Sequence, residues 1–204
     1  MIQTMNLRCE YAEKPLAVDT DTPRLSWQLS APGRGHRQSA YQVLAASTLE
    51  GLQAGEADLW DSGKVESSDQ MVGYAGRDLA GGERCWWSVR VWDQAGVEGA
   101  FAAEDWFEMG LRAADWPAEW IGMPAAWPGR SHLFRRVFKL EKQVRRARVY
   151  MAGLGWSELW VNGRRANDRV LDPPQSDVSR RIWYSTDAVE DLLQPGENVI
   201  GVKA

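Results

Sequence analysis

"CWWSVRVWD", Cys85–Asp93, decides how the first half of this chain folds. In an extended chain successive side chains point to opposite faces, so Trp87, Val89 and Val91 share one side and Trp86, Arg90 and Trp92 the other. The alternation predicts a strand with its Trp87 face in a core. On the outer face, an arginine between two indoles predicts a cation–π stack, read as a structural ladder or a domain interface. "RLSWQL" repeats the pattern with Leu25, Trp27 and Leu29, and "YQVLAAS" with Tyr41, Val43 and Ala45. Turn clusters such as "APGRG" and "LAGGER" separate these runs, and one short helical turn is expected within 49–57. Several short strands in about 100 residues predict an all-β sandwich.

Working outward, the 204 residues suit two domains. The composition, 44% hydrophobic and 25% charged, is that of a globular chain, but 12 tryptophans mark it out, since such residues serve cores or contact surfaces. Around residue 112 the texture changes to "RAADWPAEWIGMPAAWPG", read as a Trp/Pro-rich linker over 113–128 between domains at 1–112 and 129–204. Residues 1–128 carry 10 basic and 19 acidic side chains and 129–204 carry 14 and 9, so the two parts should attract one another. Cys9 and Cys85 are far apart in sequence and form no CxxC pair, which predicts reduced thiols and a cytoplasmic setting. Neither a signal peptide nor a membrane span is expected.

Strand-like segments resume with "SHLFRRVFKL", "RARVYMAGL", "WSELWV", "RIWYST" and "NVIGVKA", with a helical turn expected in "DAVEDLL" at Asp187–Leu193. Asn162-Gly163 is a strong two-residue hairpin signal. "ENVIGVKA" is read as a strand without a closing partner, so the second domain is expected to be an incomplete sandwich that self-associates through an open strand edge.

Taken in order, "LRCEYAEKPLAVDTDTPRLSWQL", "RQSAYQVLAAS", "LWDSGKV", "CWWSVRVWDQAG", "FEMGL", "DWPAEWIG", "ARVYMAGLGWSELWVNG", "VLDPP" and "GENVIGV" resemble the N-terminal region of bacterial α-L-rhamnosidases of glycoside hydrolase family 78. The resemblance runs over almost the whole chain. It implies a fibronectin-III/immunoglobulin-like β-sandwich followed by the start of a jelly-roll-like sandwich. It further implies a parent enzyme that hydrolyses terminal α-L-rhamnose with inversion, through a pair of carboxyl groups in a helical barrel. That barrel is missing from this sequence, and neither carboxyl group can be placed on it. One departure concerns the segment after "LDP", where family members carry aromatic residues and this chain has Pro174-Gln175-Ser176-Asp177-Val178.

The stretch "GLGWSELWVNG", Gly153–Gly163, places Trp156, Glu158 and Trp160 together if the strand runs through all three, with Ser157, Leu159 and Val161 opposite. The preferred reading is a sandwich strand with its tryptophans in a core or covered by a neighbouring domain. The competing one makes Trp156, Glu158 and Trp160 a carbohydrate-binding platform. Asp168, Asp172 and Asp177 offer hard oxygen ligands for calcium, against a reading as solvated turn residues. His36 and His132 are the two histidines, and no HExxH, GxSxG, GxxxxGK or GxGxxG constellation accompanies them. The basic, aromatic-interleaved run "RRVFKLEKQVRRARVY" matches no nucleic-acid motif and reads as the wet face of strands. Three functional classes follow: the non-catalytic N-terminal portion of an α-L-rhamnosidase, acting as scaffold or in accessory recognition of rhamnose-containing glycosides; a self-standing carbohydrate-binding module; and a fibronectin-III-type protein-interaction module.

Overall fold

In the computed structural model, which describes residues 2–123 and 131–204, the protein is all-β and divides into two compact units, residues 1–117 and 118–204. Residues 124–128 of the expected linker lie outside the described residues. No helix among the described residues is long and apolar enough to cross a membrane.

The first unit runs β1 (Gln3–Cys9), β2 (Arg24–Ser30), β3 (Gln38–Ala46), α1 (Leu49–Gln53), β4 (Trp60–Asp61), β5 (Val65–Glu66), β6 (Met71–Gly73), β7 (Arg84–Asp93) and β8 (Asp105–Glu108). Two antiparallel sheets result, β1-β2-β6 and β4-β3-β7-β8, with β5 also paired to β3. Alternation holds along each strand: Leu25, Val43, Ala45, Trp87 and Val89 have no exposed surface, Trp27 and Val91 almost none, and all join one core. The short helix α1 starts where Thr48 accepts a hydrogen bond from the Gly51 amide, as an N-cap should. Some polar groups inside this core are paired, while the Trp87 indole nitrogen has no partner among the described residues. The Trp27 indole N–H donates to Gln38 Oε1 at 3.0 Å, and the Gln38 amide donates to the carbonyls of Asp69 (2.7 Å) and Ser67 (3.1 Å).

The outer face of β7 differs from the single stack expected around Arg90. Two arginines share the work. Arg84 lies 3.8 Å above the Trp106 ring and 5.4 Å from Trp86, and bonds the fully buried Glu108 at 2.6 Å. Arg90 lies over Trp92 and Phe101 at 5.1 and 4.8 Å and is fixed by Gln42 at 2.7 Å. Trp92, expected on the outer face, is buried, with Arg90 and Lys64 over its ring.

Both cysteines are free thiols in this core. Burial, with the charges of Glu10 and Asp105 adding to it, pushes the Cys9 thiol up to about 12. Burial pushes Cys85 higher still.

The second unit contains β9 (Leu133–Leu140), β10 (Arg148–Ala152), β11 (Glu158–Val161), β12 (Arg164–Arg165), β13 (Tyr184–Ala188) and β14 (Gly196–Lys203). A four-stranded sheet, ordered β12-β11-β14-β9, faces the two-stranded pair β10-β13. Here the expectation for the last strand is corrected: β14 is central, paired with β11 on one side and with the whole of β9 on the other. The long edge strand of this sheet is β9, and the two-residue β12 forms the other edge. The helical turn expected at Asp187–Leu193 is shorter, a 3₁₀ turn at Glu190–Leu192, because β13 claims Asp187 and Ala188.

Asn162 and Gly163 form the hairpin turn with φ of 50° and 77°, both left-handed as a type I′ turn requires. Asn162 does more than turn the chain. Its side chain accepts from the Val199 amide and donates to the Leu192 carbonyl and to Asn198 Oδ1, each at 2.8 Å. Asn198, with no exposed surface, donates in turn to the carbonyls of Gln194 (2.7 Å) and Gly196 (3.0 Å) and accepts from the Gln194 amide. This pair of asparagines staples the hairpin to the turn that launches β14.

Three outcomes test this description. Trp87→Ala should destabilise the first unit by about 3–5 kcal/mol in urea unfolding, as large aromatic truncations in cores do. Asn198→Ala, which strips partners from Asn162 and the Gln194 amide, should cost the second unit on the order of 1–3 kcal/mol. Asp105 is buried with one carboxylate oxygen unpartnered among the described residues, and burial raises its pKa against the pull of the Trp106 amide and Lys14. A raised pKa means that the folded state binds the proton more tightly, so the ionised carboxylate weakens the fold above its folded pKa. Asp105→Asn should therefore raise the unfolding midpoint at pH 7, and the gain should shrink as the pH falls toward about 4, the ordinary aspartate value.

Candidate functional site

The Gly153–Ser157 loop joins β10 to β11, and the strand begins only at Glu158. Alternation therefore does not extend to Trp156, which projects from the loop and is 53% exposed. Leu159 and Val161 supply the buried face, both 1% exposed, with Val189 and the half-buried Val149, Met151, Ile200 and Val202. The core assignment for the two tryptophans is thus corrected: Trp160 is 38% exposed on the opposite side of β11, since the apolar pair Leu159 and Val161 takes the inner positions.

Two concavities meet at Trp156. One, of about 200 Å³, is lined by Gly153, Gly155, Trp156, Pro173, Gln175 and Val178 among others. The other, of about 340 Å³, is lined by Trp156, Glu158, Arg165, Val170, Leu171 and Lys203 among others. Trp160 lines neither. The loops are held close together. The Ser157 amide donates to the Asp172 carbonyl at 2.8 Å, and a Cβ on Gly153 would lie 2.8 Å from the Gly155 carbonyl oxygen, closer than side chains tolerate.

Behind this rim sits a charged lock. Arg169 donates to Asp172 at 2.9 Å and to Asp187 at 2.8 Å, and Asn167 donates to the same Asp187 oxygen. Burial works against the Arg169 charge, but its hydrogen bond to Asp172 and both carboxylate charges outweigh it and hold its pKa above the usual value. Asp177 is occupied elsewhere, accepting from the amide and hydroxyl of Ser179. Calcium requires six to eight converging oxygens. Among the described residues no three His, Cys, Asp or Glu side chains form a group able to hold a metal ion. His36 bonds the Pro32 carbonyl in an exposed loop, and His132 lies edge-on to Phe134.

Residues 4–113 match the family described as Rha78A-like, N-terminal immunoglobulin domain. The chain belongs to this family. Residues 142–204 match the alpha-L-rhamnosidase N-terminal domain, so the Rha78A-like immunoglobulin unit is followed by the second region named for the same enzymes. An alpha-L-rhamnosidase of Formosa agariphila is 34% identical over 213 aligned residues, which cover 92% of this chain and 22% of that protein. The structure of alpha-L-rhamnosidase from Dictyoglumus thermophilum superposes with a TM-score of 0.91 at 36% identity, covering 98% of this chain and 24% of that one. The Streptomyces avermitilis alpha-L-rhamnosidase complexed with L-rhamnose superposes at 0.59 with 33% identity, covering 100% and 22%. The chain thus spans less than a quarter of the length of these relatives.

Of the residues singled out from sequence, the structure brings Trp156 and Glu158 to one concavity and leaves Trp160 on the sheet face. Arg165 and Lys203 escaped notice, and Gln175 was noted only within the departure after "LDP". The departure at Pro174–Val178 was read only as a loss of aromatic residues, whereas Pro174, Gln175, Ser176 and Val178 line the first concavity with Trp156. Arg169→Ala should strip the buried Asp187 of its cation. Its cost should fall between the roughly 1 kcal/mol of an exposed pair and the roughly 3–5 kcal/mol of a buried one, read by denaturant unfolding.

Proposed function

We propose that this chain is the non-catalytic N-terminal portion of an α-L-rhamnosidase that releases terminal rhamnose from glycosides, and that it serves as scaffold for the remainder of the enzyme. The observation that carries the reading is the outward face of the four-stranded sheet. Cross-strand register aligns Leu133 with Lys203, Arg135 with Gly201 and Trp160, and Val137 with Val199. On this face Leu133 is 77%, Val137 41% and Trp160 38% exposed. Three apolar side chains on one sheet face are a surface made to be covered. The remaining three quarters of the relatives' length supplies an occupant, and Arg135 and Lys203 at its rim suit an acidic border on that partner.

Inversion at a rhamnosyl bond needs an acid and a base held on opposite sides of the sugar. The chain by itself should therefore show no turnover of an aryl α-L-rhamnoside. Turnover that disappears on a single substitution within residues 1–204 would overturn the scaffold reading. The open face should also drive self-association of the isolated chain, seen as a rise in mass by light scattering over a hundredfold concentration range. Leu133→Glu combined with Val137→Glu should restore the monomer, and a constant monomer mass without them would remove the argument.

A further inference from the structure

We propose that the cleft between β1 and the Ala102–Asp105 segment of the first unit binds an aliphatic primary ammonium group. The inference is independent of the scaffold role and lies within residues 1–117. It starts from Asp105. Cross-strand register sets Asp105 opposite Trp87, and opposite residues share a face, so its carboxylate points with Trp87 and Phe107 between the two sheets. Its charge acts on the Cys9 thiol of the facing strand β1. Asp105 is 8% exposed, its Oδ1 is buried without a hydrogen-bond partner, and no other side chain bonds this carboxylate among the described residues. A buried carboxylate without a donor is costly, and a ligand that brings a donor removes that cost.

The cleft beside it has a volume of about 420 Å³, inside the roughly 300–1,000 Å³ range of small-molecule sites. Met5, Leu7, Ala102 and Ala103 give it apolar wall, and the exposed Glu13 and Glu104 line it together with Asp105. Against these three carboxylates stands Lys14, whose charge reaches Asp105 without forming an ion pair with it among the described residues. Glu13 meets Arg8 at 3.0 Å and Glu104 accepts from Gln53 at 3.1 Å. An ionised carboxylate has about four acceptor sites, so both keep capacity for a further donor.

This lining selects the ligand class. Ionised carboxylates only accept, so the ligand must donate, and three of them against one lysine favour a cation. The enclosure of Oδ1 prevents Asp105 from offering both oxygens to the planar fork of a guanidinium, whereas a compact ammonium needs only one. An alkyl chain behind that ammonium covers Leu7 and the two alanines, and a second ammonium at its far end meets Glu13 or Glu104. Free alkylamines and lysyl side chains both carry such a group, and the experiment separates them.

The test is a titration of the isotope-labelled 204-residue chain at neutral pH and matched ionic strength, read by amide chemical shifts. The probes are n-butylammonium, cadaverine, butanol, tetramethylammonium and a capped Gly-Gly-Lys-Gly-Gly peptide. Both amines should bind with a Kd of about 1 mM or tighter. They should move the amides of Leu7 and of Trp106, the latter being the amide that pulls on the Asp105 carboxylate. Butanol lacks the charge and tetramethylammonium the N–H donor, so each should bind at least about tenfold more weakly. Asp105→Asn, expected above to be the more stable protein at neutral pH, should weaken amine binding by about tenfold or more, and Glu104→Gln by about threefold. Peptide binding comparable to that of butylammonium assigns the site to a lysyl side chain and its failure assigns it to a free amine; either supports the ammonium site. No response to either amine at about 20 mM, equal binding of butanol or tetramethylammonium, shifts confined to residues outside the cleft, or undiminished binding by Asp105→Asn would each overturn the proposal.

Discussion

A β-sheet that carries apolar residues on a face must have that face covered, and the two units of this chain meet the requirement to different extents. In residues 1–117 the two sheets bury one another's inner faces, and the long strand β7 is covered on its outer side as well, by the arginine–tryptophan stacks at Arg84 and Arg90. In residues 118–204 two strands cover one side of a four-stranded sheet, and among the described residues only Leu159, Val161 and Val189 become fully buried hydrophobics. The hydrophobic effect scales with area removed from water, so the second unit draws less of its stability from its own core. It compensates with directional contacts.

Those contacts are polar and mostly enclosed. Asn162 and Asn198 join a hairpin turn to the start of β14 across 36 residues of sequence, and Arg169 ties the loop after β12 to the buried Asp187. A buried polar group is costly only when unpaired, and once paired it fixes register more sharply than apolar packing does. The consequence is a small core with a well-defined loop rim, the arrangement on which the Trp156 concavities depend.

Much of the first unit was legible because alternation in 25–29, 41–45 and 85–93 survives wherever a strand lies between a core and solvent. The Asn162-Gly163 turn was legible because backbone sterics at positive φ leave few residue choices. The site was less so. Trp156 looks like a strand residue in sequence, but hydrogen bonding starts two residues later, at Glu158. The central position of β14 depends on pairing with β9, more than 50 residues earlier, which a local pattern does not encode. The concavity walls come from Pro173–Val178, a turn-rich segment whose shape is set by what it packs on. The burial of Trp92 was not legible, because alternation says nothing of Lys64, from the connection between β4 and β5, laid over its ring.

The distribution of sulfur has a practical consequence. Cys9 and Cys85 both sit in the core of the first unit, with thiols held protonated by burial, and the second unit has no cysteine. A thiolate-seeking reagent meets neither sulfur until that core opens, because reaction needs both access and deprotonation. Labelling kinetics in native buffer therefore clock the opening of the immunoglobulin-like unit alone, and they do so without an engineered probe.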